Sequence, residues 1–367
     1  MGVVELIRAL ARRYALMTAS LLIAAPALAG GLDQQRGQDW RSLLLAGTAP
    51  HAGQESSAKP RPAASDDEIR AEKAVEAGTD ASARLKAGAD FVRLFPKSAL
   101  MKQVALLVGQ KIDAVTDGAQ KVTFAEAYKT IFKDPELQDM IEPTLIDGFA
   151  AVNRVDDAFS HGLAYVQKHP DDSPMLVDLT VIGFNETKQG RHTYAKQAQD
   201  CGLKAIQLIE ADKKPEEMAA PQWAAFKTRW LGQIYQCTGF FALVAGNEAD
   251  GRERLSKATT LSPSDPLNYV LLGSVADTSY QKLGEQYKAM SPGPEQDAAL
   301  KKALAQMDVV IDLFAHAVAL SEGVPQYKQL HDQIAQTLAG YYKYRYKGTD
   351  GLQQLIDKYK KAPGTAQ

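Results

Sequence analysis

Leu261 to Gly273 reads LSPSDPLNYVLLG, with two prolines three residues apart directly before an apolar run. Each proline has its own job. Pro263 stands where one helix has ended, since proline lacks the N–H that a further turn needs. Asp265 suits the N-cap of the next helix, where its carboxylate accepts a bond from an orphan backbone N–H. Pro266 fits the first helical position, at which a missing N–H costs nothing. The stretch is one helix stop and one helix start placed back to back. Tyr269 to Gly273 then opens the buried face of the new helix.

The same punctuation recurs along the chain. Asp134-Pro135-Glu136-Leu137 and Ser173-Pro174-Met175-Leu176 repeat the start, Pro221 and Pro325 suit first turns with weaker caps, and Ser98 can cap a start without proline. The start prolines lie 39, 47, 45 and 59 residues apart, and each interval has room for two helices and a turn. A quasi-period of that length is what stacked helical hairpins produce. Apolar residues recur at three and four, as at Phe91, Leu94 and Phe95 or at Leu203, Ile206, Leu208 and Ile209, which is helical spacing. The one strand-like run, MLVDLTVIGF from Met175 to Phe184, follows a start signal and sits between helical segments, so it reads as a buried helix.

The expected fold is all-α: a right-handed α-solenoid of about six antiparallel helical hairpins over residues 66–361. These begin near Ser98 and follow one helix near Asp67–Leu94; an irregular all-α bundle is the alternative. Residues 1–29 read as a signal peptide. Arg8, Arg12 and Arg13 precede the uncharged 16-residue run Tyr14–Ala29, which ends in the small-x-small triplet Ala27-Leu28-Ala29. An uncleaved anchor is the alternative. Residues 30–65 carry too little apolar surface to offset ordering entropy and read as a disordered linker, as does the tail 362–367. Within the linker, Trp40–Gly47 is either a short docking helix or a sticky piece of chain. No second stretch reads as a membrane span. Lys plus Arg (42) nearly balances Asp plus Glu (44), so nothing points to nucleic acid.

Part of the chain resembles the tetratricopeptide repeat. Tyr269-x-x-Leu272-Gly273 matches the first half of that signature, with Ala276 in place of its second aromatic. Leu231-Gly232-x-x-Tyr235 matches it again, Trp230 standing near the expected aromatic, and Gly251, Leu255, Ala258 and Pro263 stand at the spacing of the second half. Gly232, Gly251, Ala258 and Gly273 are small where paired helices must approach closely. The match covers about Thr228 to Ala276; elsewhere the likeness is one of rhythm, with intervals longer than the family's own, and Phe240–Glu248 reads as a helix extension. The resemblance implies a concave surface lined by the first helix of each hairpin. Counted from the Leu-Gly landmark, Arg229, Gln233 and Gln236, then Ser274 and Asp277, then Asp332 and Gln336 would line it.

Catalytic motifs are not found. His51, His161, His169, His192, His316 and His331 form no pair at metal-ligand spacing, and no cofactor or metal is expected. His316, inside LFAHAVAL, is either a packed helix residue or a buried ligand. Cys201 and Cys237 fall on consecutive helices about equally far from the turn between them, and either bridge or remain two buried thiols. In YYKYRYK, Tyr341 to Lys347, one stripe holds Tyr341 and Tyr344 and another Tyr342 and Tyr346, with cations interleaved. Tyr342 and Tyr346 join the candidate partner-binding set. The expected function is an exported, non-enzymatic scaffold in the periplasm or outside the cell, binding a protein or peptide partner. The alternative is a helical transport component that binds a small solute or lipid between helices, near a cavity behind His316 and Phe314.

Overall fold

The computed structural model describes residues 64–216 and 218–360. The expected signal peptide, the linker before Ala64, the Trp40–Gly47 segment and the tail after residue 361 lie outside the described residues. Among those described there are fourteen α-helices and no strand. They are α1 (Asp66–Glu76), α2 (Ala81–Leu94), α3 (Met101–Asp113), α4 (Gly118–Ile131), α5 (Pro135–Ala151), α6 (Val155–Lys168), α7 (Ser173–Lys188), α8 (Ala195–Glu210), α9 (Ala220–Val244), α10 (Glu248–Leu261), α11 (Pro266–Ala289), α12 (Pro294–Ser321), α13 (Lys328–Tyr346) and α14 (Leu352–Asp357). A 3-10 turn, Pro325–Tyr327, leads into α13.

The aspartate–proline starts form as read. Asp134 accepts from the Glu136 N–H and Asp265 from the Leu267 N–H, both at 2.9 Å, and Pro135 and Pro266 open α5 and α11. The start before α7 shifts by one residue: Asp172 accepts from the Met175 N–H at 3.0 Å, and Ser173 is the first helical residue. The strand-like run Met175–Phe184 lies wholly inside α7, buried on nearly every side. That explains its lack of amphipathic rhythm, since a helix enclosed all round has no polar face to alternate with.

Two expectations change. Asp67–Leu94 is two helices, α1 and α2, rather than one. Asp80 caps α2 through the Ala83 N–H at 2.8 Å, and Arg84 folds back to bond Gly78 O at 3.0 Å and Glu76 O at 3.1 Å, closing the turn. The supposed extension at Phe240–Glu248 is helical only to Val244; Gly246, at φ 81°, turns the chain and Asn247 caps α10.

The chain divides into two compact units. In the first, which takes residues up to Ile182 together with Gln207–Lys227, each helix from α1 to α4 packs on its successor, and α1, α2 and α3 also pack on the next but one. The core is Phe91, Val104, Val108, Ile112, Tyr128, Phe132, Ile141 and Leu145, all nearly solvent-free. Each such side chain contributes roughly 1.5–3 kcal/mol by leaving water. Close packing depends on small residues: a Cβ on Gly162 would fall 2.4 Å from Leu179 Cδ2.

The second unit takes Gly183–Ile206 and the residues from Thr228 onward. Here α11 packs on α10 and α12, and α12 on α13 and α14. The glycines of the repeat-like segment are spaced for contact. A Cβ on Gly232 would sit 2.2 Å from Ser262 Oγ, one on Gly251 2.5 Å from Leu243 Cδ2, and one on Gly273 2.3 Å from Phe314 Cε1. Against the sequence reading, α12 is long and apolar enough to cross a membrane by length and composition. Its Met307, Val310, Ile311, Phe314 and Val318 nevertheless form part of this unit's core.

Candidate functional site

The groove candidates separate by depth. Arg229, Asp332 and Gln336 are exposed, and Gln233 and Ser274 are half-buried. Arg229 lies over the Trp230 ring, 5.1 Å from its centroid, and Asp332 pairs with Lys328 at 2.6 Å. Ser274 turns its hydroxyl back to Val270 O at 2.9 Å. Gln236, Asp277 and Tyr342 are buried, so a single exposed row from the Leu-Gly landmark does not form.

Gln236 is buried because α9 faces the start of α11. Its Nε2 donates to Asp265 Oδ2 at 2.7 Å and to Asn268 Oδ1 at 2.8 Å, while Asn268 Nδ2 donates to Ser262 O at 3.1 Å. The stop–start motif is thus also a polar seam. Burial raises the Asp265 carboxyl above the usual carboxylate range, opposed by the Leu267 N–H, the Gln236 amide and the charge of Lys188. Two other residues of this unit have buried polar atoms without hydrogen-bond partners, Gln233 Nε2 and Asn185 Oδ1. Sequence reasoning missed Asn185 and Lys188; the signal was a polar end, Asn185 to Lys188, on an otherwise apolar helix.

Asp277 makes a second buried centre. The Tyr341 hydroxyl donates to its Oδ1, as does Gln281 Nε2 at 3.2 Å. Burial raises this carboxyl too, against those two donors. The tyrosine stripes of α13 are therefore anchors. Tyr342 donates to Asp350 O at 2.9 Å, Tyr346 to Asp308 Oδ1 at 3.0 Å, and Arg345 forks onto Asp308 at 2.8 and 3.0 Å. Tyr346 keeps 49 % of its surface exposed, so it alone of this pair remains available to a partner.

His316 is clasped between two rings, Tyr269 at 3.7 Å and Tyr359 at 4.3 Å between centroids, and Phe314 lies against Gly273. Tyr269, Tyr359 and Gly273 are thus the neighbours of the two residues beside which a ligand cavity was expected. Cys201 and Cys237 are not bridged but free and buried. Burial pushes both thiols up to about 12, which leaves little of the thiolate that disulfide exchange needs. Among the described residues, no three His, Cys, Asp or Glu side chains gather as metal ligands.

One surface was not anticipated. Lys282 bonds Glu248 Oε2 at 2.5 Å at the start of α10, and Arg345 bonds Asp308 at the end of α13. Beyond those points the α11–α12 hairpin runs on to its tip, with Tyr287 still within electrostatic reach of Tyr344 on α13, and no residue from Lys282 to Lys302 is buried. It carries Leu283, Tyr287, Met290 and Leu300, with Met290 40 % exposed.

Neither a scan against protein-family models nor a search of curated proteins finds a match to this chain.

Proposed function

We propose that this chain is an exported, non-enzymatic scaffold of tetratricopeptide-like helical hairpins that binds a protein or peptide partner in the cell envelope. The observation that carries the reading is the α11–α12 tip, where no residue from Lys282 to Lys302 is buried and Met290 is 40 % exposed beside half-buried Leu283, Tyr287 and Leu300. An exposed methionine with a half-buried aromatic ring near it on a helical surface suits a protein partner. Arg229, Gln233, Ser274, Asp332, Gln336 and Tyr346 supply polar contacts to the same class of partner. The right-handed solenoid is supported by the neighbour and next-but-one packing of α1 to α5 and by the glycine contacts. Export rests on the Arg8–Ala29 pattern.

The test is capture of the tagged full chain from envelope fractions after mild crosslinking, with mass spectrometry of both prey and bait. Support is a protein enriched with the wild type and lost with Tyr287→Asp plus Met290→Asp, on a bait that begins at Gly30. Equal enrichment with the variant refutes the tip, and a bait recovered only from the cytoplasm refutes export.

A second reading is binding of a small solute between helices. The buried, unpartnered Asn185 Oδ1 and Gln233 Nε2 favour it.

A further inference from the structure

We propose that the cleft between α11 and α13 takes an extended acidic peptide segment of the partner; this rests on the scaffold reading above and names the chemistry of what it binds. Both helices pack on α12 or on each other through α12's neighbours. They meet at one end, where Tyr341 donates to Asp277 and its ring lies 6.1 Å from that of Tyr280. Further along, no hydrogen bond or ring contact among the described residues joins them. Tyr344 stands within electrostatic reach of Tyr280 and Tyr287, and no closer contact ties them. Gly284 lies between those two tyrosines on the same face of α11, and a Cβ there would meet nothing within 4 Å. The helices are closed at Asp277 and open at Gly284.

The open part is lined with donors. Tyr280, Tyr287 and Tyr344 are half-buried, and their hydroxyls make no hydrogen bond among the described residues. Burial raises Tyr280 and Tyr344 above the ordinary phenol range, so both stay protonated and able to donate. Lys347 holds its ammonium 5.0 Å from the Tyr344 ring centroid, and Lys343 stands exposed one turn earlier at the rim. Neither lysine forms an ion pair among the described residues. The carboxylates alongside are already occupied, Asp277 by Tyr341 and Gln281, and Glu285 by Lys288 at 2.7 Å.

Charge decides the occupant. Two unpaired cations and a row of hydroxyl donors, with no carboxylate left over, are complemented by an anionic chain rich in acceptors. An acidic peptide supplies both kinds of group: its side-chain carboxylates face Lys343 and Lys347, and its backbone carbonyls face the tyrosine hydroxyls. Asp277 to Tyr287 covers about 15 Å of α11 at 1.5 Å per residue, the length of roughly four or five residues of extended chain. Lys347 lies over the Tyr344 ring, which leaves a sugar less bare aromatic face to stack on and favours a peptide over an anionic glycan.

The test uses the full chain and the fluorescence anisotropy of a labelled octapeptide that alternates glutamate with alanine. The other probes are its lysine–alanine counterpart, a labelled oligogalacturonate, and phosphatidylcholine vesicles carrying one quarter phosphatidylglycerol. The acidic peptide is expected to bind saturably and the lysine counterpart not at all. Gly284→Leu fills the gap with a better helix former, so its Tm stays at or above wild type while it weakens the acidic peptide at least about tenfold. Lys343→Gln with Lys347→Asn, asparagine tolerating the left-handed backbone at 347, weakens it by a similar factor and flattens its salt dependence. Unchanged affinity in either variant, or equal binding of the lysine counterpart, overturns the cleft. Tighter binding of the oligogalacturonate or the vesicles than of the acidic peptide overturns the peptide as occupant. Binding of no probe overturns the cleft as well; a partner still captured from envelope fractions then keeps the scaffold reading, and capture of none ends both.

Discussion

Gln236 on α9 donates to Asp265 at 2.7 Å, so the residue that starts α11 is held by the helix two positions earlier in the chain. A local helix-start signal and a long-range contact share one carboxylate. Asp265→Ala removes a cap worth about 1 kcal/mol and leaves one N–H of the Gln236 amide, whose other stays on Asn268, without an acceptor at about 1–3 kcal/mol, for an expected loss of roughly 2–4 kcal/mol in denaturant unfolding. A loss below about 1 kcal/mol would show that the seam does not hold the two helices together.

Asp265→Asn keeps a capping oxygen and removes the charge. Burial raises the wild-type carboxyl, so the folded state holds the proton more tightly than the unfolded chain. The stabilisation from that group is complete below the ordinary carboxylate pKa, near 3.9, and is lost as pH rises through the raised value. The asparagine variant lacks this loss. Its stability relative to wild type is expected to improve between acid and neutral pH in paired urea titrations; a difference independent of pH would refute the assignment.

Gly273 meets the Phe314 ring where any Cβ would collide, 2.3 Å from Cε1. Gly273→Ala is expected to cost about 1–3 kcal/mol through overpacking. Adding Phe314→Leu makes room, so the double variant loses less than the two single losses combined, which a double-mutant cycle measures. Strict additivity would place the strain elsewhere.

His316 is lowered by burial, with Asp312 opposing and Lys358 reinforcing the shift. Its folded pKa lies below its unfolded value, so stability is present above the ordinary histidine range near 6.5 and falls as pH drops through that range toward the lowered value. His316→Phe keeps a ring between Tyr269 and Tyr359. It is expected to flatten the fall in Tm between pH 7 and pH 5, an acid limb that would persist unchanged if His316 were already charged.

Cys201 and Cys237 are buried free thiols. A thiol reagent such as Ellman's is expected to find neither in the native protein and both after denaturation without reductant. Detection of none after denaturation would mean a bridge.

Asp265-Pro266 and Asp134-Pro135 were legible from sequence because capping is local: the side chain answers an N–H two residues away. The buried helix Met175–Phe184 was legible from its length and flanking signals. The turn between α1 and α2 was not, because Arg84 closes it by reaching back to Gly78 and Glu76, while the apolar rhythm continues across it. The candidate surface was legible only in part. Offsets from Leu-Gly put Arg229 and Gln336 outside, yet Gln236 and Asp277 turned inward, since Asp265 and Tyr341 wait for them on other helices. The uncovered stretch Lys282–Lys302 was hidden for the same reason: periodicity marks which face of a helix is apolar, not how deeply its neighbours cover it.

Hydrogen–deuterium exchange of the full chain, alone and with its captured partner, tests the scaffold most directly. Protection centred on Lys282–Lys302, where no residue is buried in the free chain, is the expected result. Unchanged exchange across that segment, with protection confined to other helices, would contradict it.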